Sequence, residues 1–456
     1  MQLEALEPID ADTKLTPQLF ISDTWWDAYG RDDLDALVVS AILNNLELKA
    51  EADRLNASRQ IVKQQFANEL PQVSIGANWT RQKNSNTLIQ PDPSQFQGSG
   101  PRIFAPGSTY SIYNLPLTVD YELDVFGKNR NATKAEGARY QAEIFKLRDK
   151  ELALAEQAVM VGMQSLQTDA MLRLTKDRLT VQQELFHLES VRLDAGLDAE
   201  DPTLERQQII DQLTADIARY QETSRKLDHE AALLVGMPIK SFTWKNNELR
   251  STDYFEHHDL SGYKAWLKID SNRLINRPDV QVQEALMQAA GFDVKVARRM
   301  FLPTFSLSAS VGLASTQLNQ WFDWNSILAS FTAGVAQKLF TGGALKANLK
   351  QQESLYNAMG KTYQQTLLNA GKSAEDAIVT LDNAFQQMES LENQLTMATR
   401  LMENRDAQYQ AGSTSYVQVL EQRDRLLHTE TSFIQERANV LLAWNTLQRE
   451  LGASAS

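Results

Sequence analysis

The sequence has no cysteine among its 456 residues. Disulfides, thiolate metal sites and a cysteine nucleophile are therefore excluded. The compartment stays open, because a chain without thiols suits an oxidising space as well as the cytosol. There is also no run of about 18 apolar residues, so no transmembrane helix is encoded. A membrane β-barrel is compatible with this and with the mean hydropathy of −0.39, because barrel strands are apolar only at alternate positions. Runs of Lys and Arg are missing too. The 45 basic residues face 58 acidic ones, a net charge of −13, which argues against a nucleic-acid partner. No basic run is present to attract anionic lipid. The opening "MQLEALEPID" lacks a basic region followed by an apolar run, so a secretion signal is expected to be removed or never present.

Catalytic signatures are likewise scarce. No P-loop, nucleophile elbow or zinc spacing occurs. Only five histidines are present, and His257-His258-Asp259 is their one cluster; adjacent residues seldom share a metal, and the trio reads as a solvated loop. No enzyme activity, cofactor or metal is expected.

What the chain does have is a plan written twice. "FANELPQVSIGANWT" (66–80) matches "RMFLPTFSLSASVGL" (299–313), and "YELDVFGKNRNATKAEGARYQAE" (121–143) matches "AQKLFTGGALKANLKQQESLYNA" (336–358). "VRLDAGL" (191–197) matches "AQYQAGS" (407–413), and Gly196 to Gly412 and Gly236 to Gly452 are both offset by 216. Each half reads helix, strand, strand, long helix, turn, helix. The halves differ mainly in the loop between strands, long and rich in Pro, Gly, Asn and Ser at 82–112 and short at 316–326.

Four strands are predicted, at 73–80, 113–125, 305–313 and 327–339. In each, apolar residues at odd positions alternate with even positions that are nearly all small or acidic, as in Phe305, Leu307, Ala309, Val311 and Leu313 against Ser306, Ser308, Ser310 and Gly312. A soluble half-buried sheet uses the same alternation. Two features favour a membrane barrel instead: the polar faces suit a wet lumen, and few helix residues are free to cover the sheet. Asp120, Glu122, Asp124, Ser306, Ser308, Ser310 and Lys338 would face that lumen. Trp79, Tyr110, Tyr113, Trp321 and Trp324, near strand ends, would sit at a membrane interface. Four strands close poorly, whereas three chains with four each would close a barrel of twelve and remove its edges.

The helices are too long for a globule. From Lys128 to Leu193 there is no proline, and such a helix would measure roughly 100 Å; Ala344 to Gln410 is similar. Leu367, Ala374, Leu381, Met388, Leu395, Met402 and Tyr409 recur every seven residues, with Ala370, Ala377, Ala384, Leu391 and Ala398 at +3, the period of a coiled coil. Leu34, Ala41, Leu48, Leu55 and Val62 repeat it in the first helix, and Leu420, Leu427, Ile434 and Leu441 in the last. In the first long helix Phe145, Leu152, Val159 and Leu166 share one phase, and Leu172, Leu179, Phe186 and Leu193 a shifted one. Gly196 and Gly412 are placed as helix C-caps with φ > 0, and Asp201 as an N-cap before Pro202 at N1. The expected divisions are an N-terminal extended segment (1–30), a first-repeat helix (31–70), a strand pair with a long loop (71–126), a helical hairpin (127–236), a linker (237–275), a second-repeat helix (276–302), its strand pair (303–340), a second hairpin (341–452) and a tail (453–456).

In this order "LPQVSIGANW", "YELDVFGKNRNATKAEGARYQAE", "RLDAGL", "NRPDVQVQEALMQAAGFDVKVARRMFLPTFSLSASVG", "LFTGGALKANL" and "YQAGSTSYVQVLEQRDRLL" resemble the TolC-type outer membrane factors, in the branch that contains OprM and VceC. The resemblance covers nearly the whole chain. It implies an α+β membrane protein: a homotrimer with a 12-stranded outer-membrane β-barrel continuing into an α-helical coiled-coil barrel in the periplasm. It implies the exit duct of a drug efflux or export system, whose partners are a periplasmic adaptor, an inner-membrane pump and outer-membrane lipid. It puts the loop 82–112 outside the cell. The family's tip turns map to Ala195-Gly196-Leu197 and Ala411-Gly412-Ser413, which would dock the adaptor. Tyr409 matches a family residue that ties the tip closed, but Thr414 stands at its Arg partner's position and Pro202 at the Asp. Gln418 and Glu421 stand where two family carboxylates follow the turn. The lipidated N-terminal cysteine common in this branch has no counterpart. Glu421, and second Asp424, are expected to ring the periplasmic aperture, making it electronegative. Tyr409 packed on Tyr416, or pairs to Arg405 and Arg423, would offset the repulsion. The competing class is a non-channel periplasmic coiled-coil tether or adaptor.

Overall fold

The computed structural model describes residues 24–87, 107–197, 199–242, 253–267 and 271–452. Most of the loop 82–112, the start of the N-terminal segment and the tail lie outside the described residues. The elements run α1 (Asp32–Asn44), α2 (Leu46–Ala67), β1 (Gln72–Ile75), β2 (Asn78–Lys83), β3 (Thr109–Leu123), α3 (Lys128–Asp194), α4 (Asp201–Leu234), α5 (Asp253–His257), α6 (Pro278–Arg299), β4 (Thr304–Ser315), β5 (Ile327–Ala336), α7 (Ala344–Gln410) and α8 (Tyr416–Glu450), with short 3-10 turns between. The chain divides into two units. One comprises Met1–Ala57, Gln141–Glu284 and Lys361–Ser456; the other comprises Ser58–Tyr140 and Ala285–Gly360.

The second unit carries an antiparallel sheet in the order β1, β3, β4, β5, with β2 also paired to β3. The expected first strand is thus two. Both pieces keep one register on β3, Gln72 opposite Asp120 and Asn78 opposite Asn114, so the break is local. Its cause is Pro116: Gly76 donates its N–H to the Pro116 carbonyl at 3.0 Å, and proline has no N–H to return. On its other side Pro116 faces Gly312, where a β carbon would lie 2.3 Å from the Leu115 carbonyl oxygen. Only glycine fits so close an approach.

Registry joins the strands row by row. Asp120, Ser308 and Thr332 stand in one row, and Val119, Ala309 and Phe331 in the next. Along 113–123 and 305–313 even positions therefore make one polar face and odd positions one apolar face. At the loop end the pattern inverts, with Arg81, Lys83, Thr109 and Ser111 at odd positions and Tyr110 and Ile112 at even ones, and Leu328 interrupts the polar face of β5. No helix of the described chain covers the apolar side: Ile75 is 72% exposed, Phe331 72% and Val335 65%. β3 starts at Thr109, earlier than expected, and β5 ends at Ala336. Lys338 and Asp124 consequently lie outside the strands. Asp124 instead accepts the N–H groups of Asn129 and Arg130 at 3.1 and 2.8 Å, satisfying donors that a helix start leaves free.

In the first unit the helices pack by their seven-residue rows. Along α7 the rows bury Ala370, Ala374, Ala377, Leu381, Ala384 and Met388. In α3 the deeply buried row after Leu166 is Leu174 and Val181, with Leu188 half-buried beyond. The phase slips one residue later than the heptad rather than one earlier, and Leu172, Leu179, Phe186 and Leu193 are only half-buried. An eight-residue step relaxes the left-handed supercoil locally. The single helix expected over 31–70 is divided at Asn45, whose ψ of 129° ends α1. The Asn45 side chain accepts the Leu48 N–H and donates to the Leu234 carbonyl, both at 3.0 Å, so α2 restarts at once.

Of the trio expected to be solvated, His257 and Asp259 are exposed, but His258 is half-buried. Tyr254, His258 and Tyr263 join Tyr29 and Trp444 in an aromatic cluster, with Tyr263 and Trp444 edge-on at 4.5 Å. His258 lies 4.8 Å from the Tyr254 ring, and its Nε2 is 2.9 Å from the Tyr263 hydroxyl. That hydroxyl gives its one hydrogen to the Ala28 carbonyl at 2.9 Å, so Nε2 is the donor to it. The apolar rings supply the burial that the sequence alone does not reveal.

Candidate functional site at the helix turns

The two turns of the first unit are built alike. At the end of α3, Gly196 takes φ +68°, its N–H reaches the Leu193 carbonyl, and Leu197 N–H reaches the Arg192 carbonyl, both at 2.9 Å. At the end of α7, Gly412 takes φ +73°, and Gly412 and Ser413 donate to Tyr409 and Gln408 carbonyls at the same distance. This paired bonding is the Schellman arrangement, which needs the left-handed residue that glycine supplies. Ala195, Gly196, Leu197, Ala411, Gly412 and Ser413 are all exposed. Ser415 caps α8 by accepting the Gln418 N–H. For α4 the expectation fails by one residue: Glu200 is the cap position, without a side-chain bond, and Asp201 and Pro202 are the first two helical residues. Thr203, not Asp201, ties the start down, its hydroxyl donating to the Glu200 carbonyl at 2.6 Å.

Three polar links join the first three turns of α8 to the other hairpin. Tyr416 donates its hydroxyl to Glu184 at 2.9 Å, which holds the phenol above its ordinary value. Asp424 accepts two bonds from one edge of the Arg178 guanidinium, Nε at 3.0 Å and Nη2 at 3.3 Å. Glu421 receives Arg206 Nη2 at 3.3 Å. Arg206 also holds Glu189 at 3.1 Å and Gln182 at 3.1 Å, so one α4 side chain fastens α3 and α8 together. Beneath these links Val181, Leu185 and Leu420 form an apolar core.

Both turns have the expected glycine geometry, while the arginines that pair with Glu421 and Asp424 are not the expected Arg405 and Arg423. Neither Glu421 nor Asp424 stands as an unpaired carboxylate; each faces an arginine. Those arginines, Arg178 and Arg206, were missed, because nothing in local spacing ties them to residues 246 and 215 positions away. Of the expected offsets, the Tyr409 and Tyr416 rings do pack, 5.4 Å apart. Arg405 reaches Gln408 and Gln418 rather than a carboxylate, and Thr414 bonds to Gln418.

The family model "Outer membrane efflux protein" matches residues 37–233 and 271–453, more than half of the chain. The chain belongs to the outer membrane efflux protein family. Its relatives include the toluene efflux pump outer membrane protein TtgF of Pseudomonas putida, 22% identical over 99% of this chain and 90% of that one. The cation efflux system protein CusC of Escherichia coli is 22% identical over 90% of this chain and 84% of its own length. In fold the chain matches the outer membrane protein VceC of Vibrio cholerae with a TM-score of 0.78, at 21% identity, over 95% of this chain and 99% of that one. Family membership sets aside the tether reading. The protein is an outer membrane efflux protein, a transport protein.

Proposed function

We propose that three copies of this efflux protein close a twelve-stranded outer-membrane barrel, and that its helix turns form the docking end for the adaptor. The observation that carries the reading is the sheet. It has two unpaired edges, at β1/β2 and β5, and an apolar face that the described chain leaves uncovered. Edges of this kind invite pairing with another copy, and lipid accepts an apolar outer face when every backbone group is bonded within a closed sheet. Asp120, Glu122, Ser306, Ser308 and Ser310 then line a wet interior.

In this reading Ala195–Leu197 and Ala411–Ser413 meet the adaptor, and Tyr409, Thr414, Tyr416, Gln418, Glu421, Asp424 and Arg405 border the periplasmic aperture. Charge there is balanced within the chain by Arg178 and Arg206, so the closed aperture is held by ion pairs and stacked rings. The mass of the detergent-extracted protein and its conductance in a planar bilayer test the proposal. A trimer that conducts ions supports it; a detergent-independent monomer without conductance overturns it.

A further inference from the structure

We propose that the helical end of the sheet in the second unit is a basic and aromatic collar that binds the headgroups of anionic phospholipids. The inference rests on the membrane reading of the sheet. Four chain crossings meet at this end, because Leu123 pairs with Phe305 and Thr304 with Ala336. In the segments 126–134, 294–302 and 338–350 there are nine cations and no carboxylate, in a chain of net charge −13. From Met300 to Gln337, across both β4 and β5, there is no Lys or Arg. The cations therefore bracket that hairpin at one end only.

Five of the nine are engaged. Lys128 pairs with Glu122, Arg130 with Asp124 and Arg298 with Glu353; Arg299 donates to the Phe126 carbonyl; and Lys295 lies over Phe292. Lys134, Lys338, Lys346 and Lys350 are exposed, and no ion pair joins them to a carboxylate among the described residues. Beside them large apolar side chains stand in the open, Leu339 and Phe340 each 91% exposed, with Leu70, Phe126, Phe301 and Leu302 at 38–49%.

Their placement at α7 runs against the helix itself. A helix N-terminus favours negative charge and disfavours positive. At α3 the chain's own Asp124 and Glu122 meet this, yet α7 has no acidic residue in its first turn, and Lys346 and Lys350 occupy its first two. An external anion at the α7 start would relieve this. Apolar side chains at the same level require that the anion sit at an oily boundary. A phospholipid supplies both: phosphate for the lysines, and acyl chains for Phe340 and Leu339.

The test uses full-length protein in phosphatidylcholine vesicles with or without phosphatidylglycerol, re-extracted and weighed by native mass spectrometry for retained lipid. Wild type should retain phosphatidylglycerol over phosphatidylcholine at low salt and lose the preference at high salt. The variant Lys338→Gln, Lys346→Gln, Lys350→Gln should retain less, by about fivefold per lysine removed. Equal retention of both lipids by wild type, or an unchanged preference in the variant, overturns the collar. So does binding of soluble polyglutamate in place of the vesicles, which assigns the surface to an acidic protein. Insertion into phosphatidylcholine alone reports on the barrel separately. A protein that inserts without headgroup preference sinks only the collar, and one that does not insert sinks the membrane reading of the sheet.

Discussion

At the residue scale the decisive side chain is Arg206. It lies among Gln182, Glu189 and Glu421 with its own side chain only 18% exposed. Its removal leaves the buried Glu189 carboxylate without a cation, a loss of about 1–3 kcal/mol. Arg206→Gln is expected to speed hydrogen exchange over the first two turns of α8 and to raise single-channel conductance; unchanged values of both would show that the links are idle. His258 makes a second residue-scale prediction. Burial pushes its imidazole below the ordinary value of 6.5, Arg437 adds to the shift, and Asp259 opposes it. Tyr254 and Tyr263 are the other titratable groups packed on it, with Arg31 beyond, over the Tyr254 ring. Because the folded value is depressed, the unfolded chain takes the proton first. The stabilisation is complete above pH 6.5 and is lost as pH falls from there towards the folded value. Hydrogen exchange across 253–267 should therefore quicken on mild acidification, and His258→Phe should remove most of that dependence. Of these residues the sequence marked Glu421, beside a glycine turn, and named His258 only as part of a solvated cluster. Arg206 and His258 owe their roles to neighbours brought from distant segments.

Elements were more legible than residues. Strand alternation, helix length and both glycine turns follow from periodicity and from the absence of proline, which are local properties. What was not legible depends on partners. Gly76 breaks the first strand because of a proline on the neighbouring one, and Asn45 divides the first helix because its side chain serves both α2 and the end of α4. The alternation makes a direct prediction. Arg in place of Leu307, which stands between Tyr121 and Ala333 on the apolar face, should cost about 2–4 kcal/mol at the membrane midplane. Arg in place of Ser308, whose hydroxyl bonds to Asp120, should cost much less. Denaturant unfolding of the two variants in lipid vesicles measures the difference, and equal costs would mean that neither face meets lipid.

On the scale of the whole molecule, the same plan is used twice at an offset of 216 residues, so each chain offers two glycine turns. Nothing lies within 4 Å of a β carbon built on Gly412, and a side chain there strains only the backbone, by about 1–2 kcal/mol. Gly412→Trp should thus assemble normally but lose adaptor pull-down and export; retained pull-down would move the docking face elsewhere. A different demand falls on Pro116 and the glycine opposite it. A strand that slips by two residues keeps its oily face oily, so hydrophobicity alone does not forbid the error. The slip would bring Ser310 or Ala314 to the place where only Gly312 fits, and the mistake would be rejected by shape. Were three copies to close a barrel as proposed, an uncorrected stagger in one stave would recur at every seam. The proline and glycine would then act like a notch and key, setting the height of each stave before it meets the next.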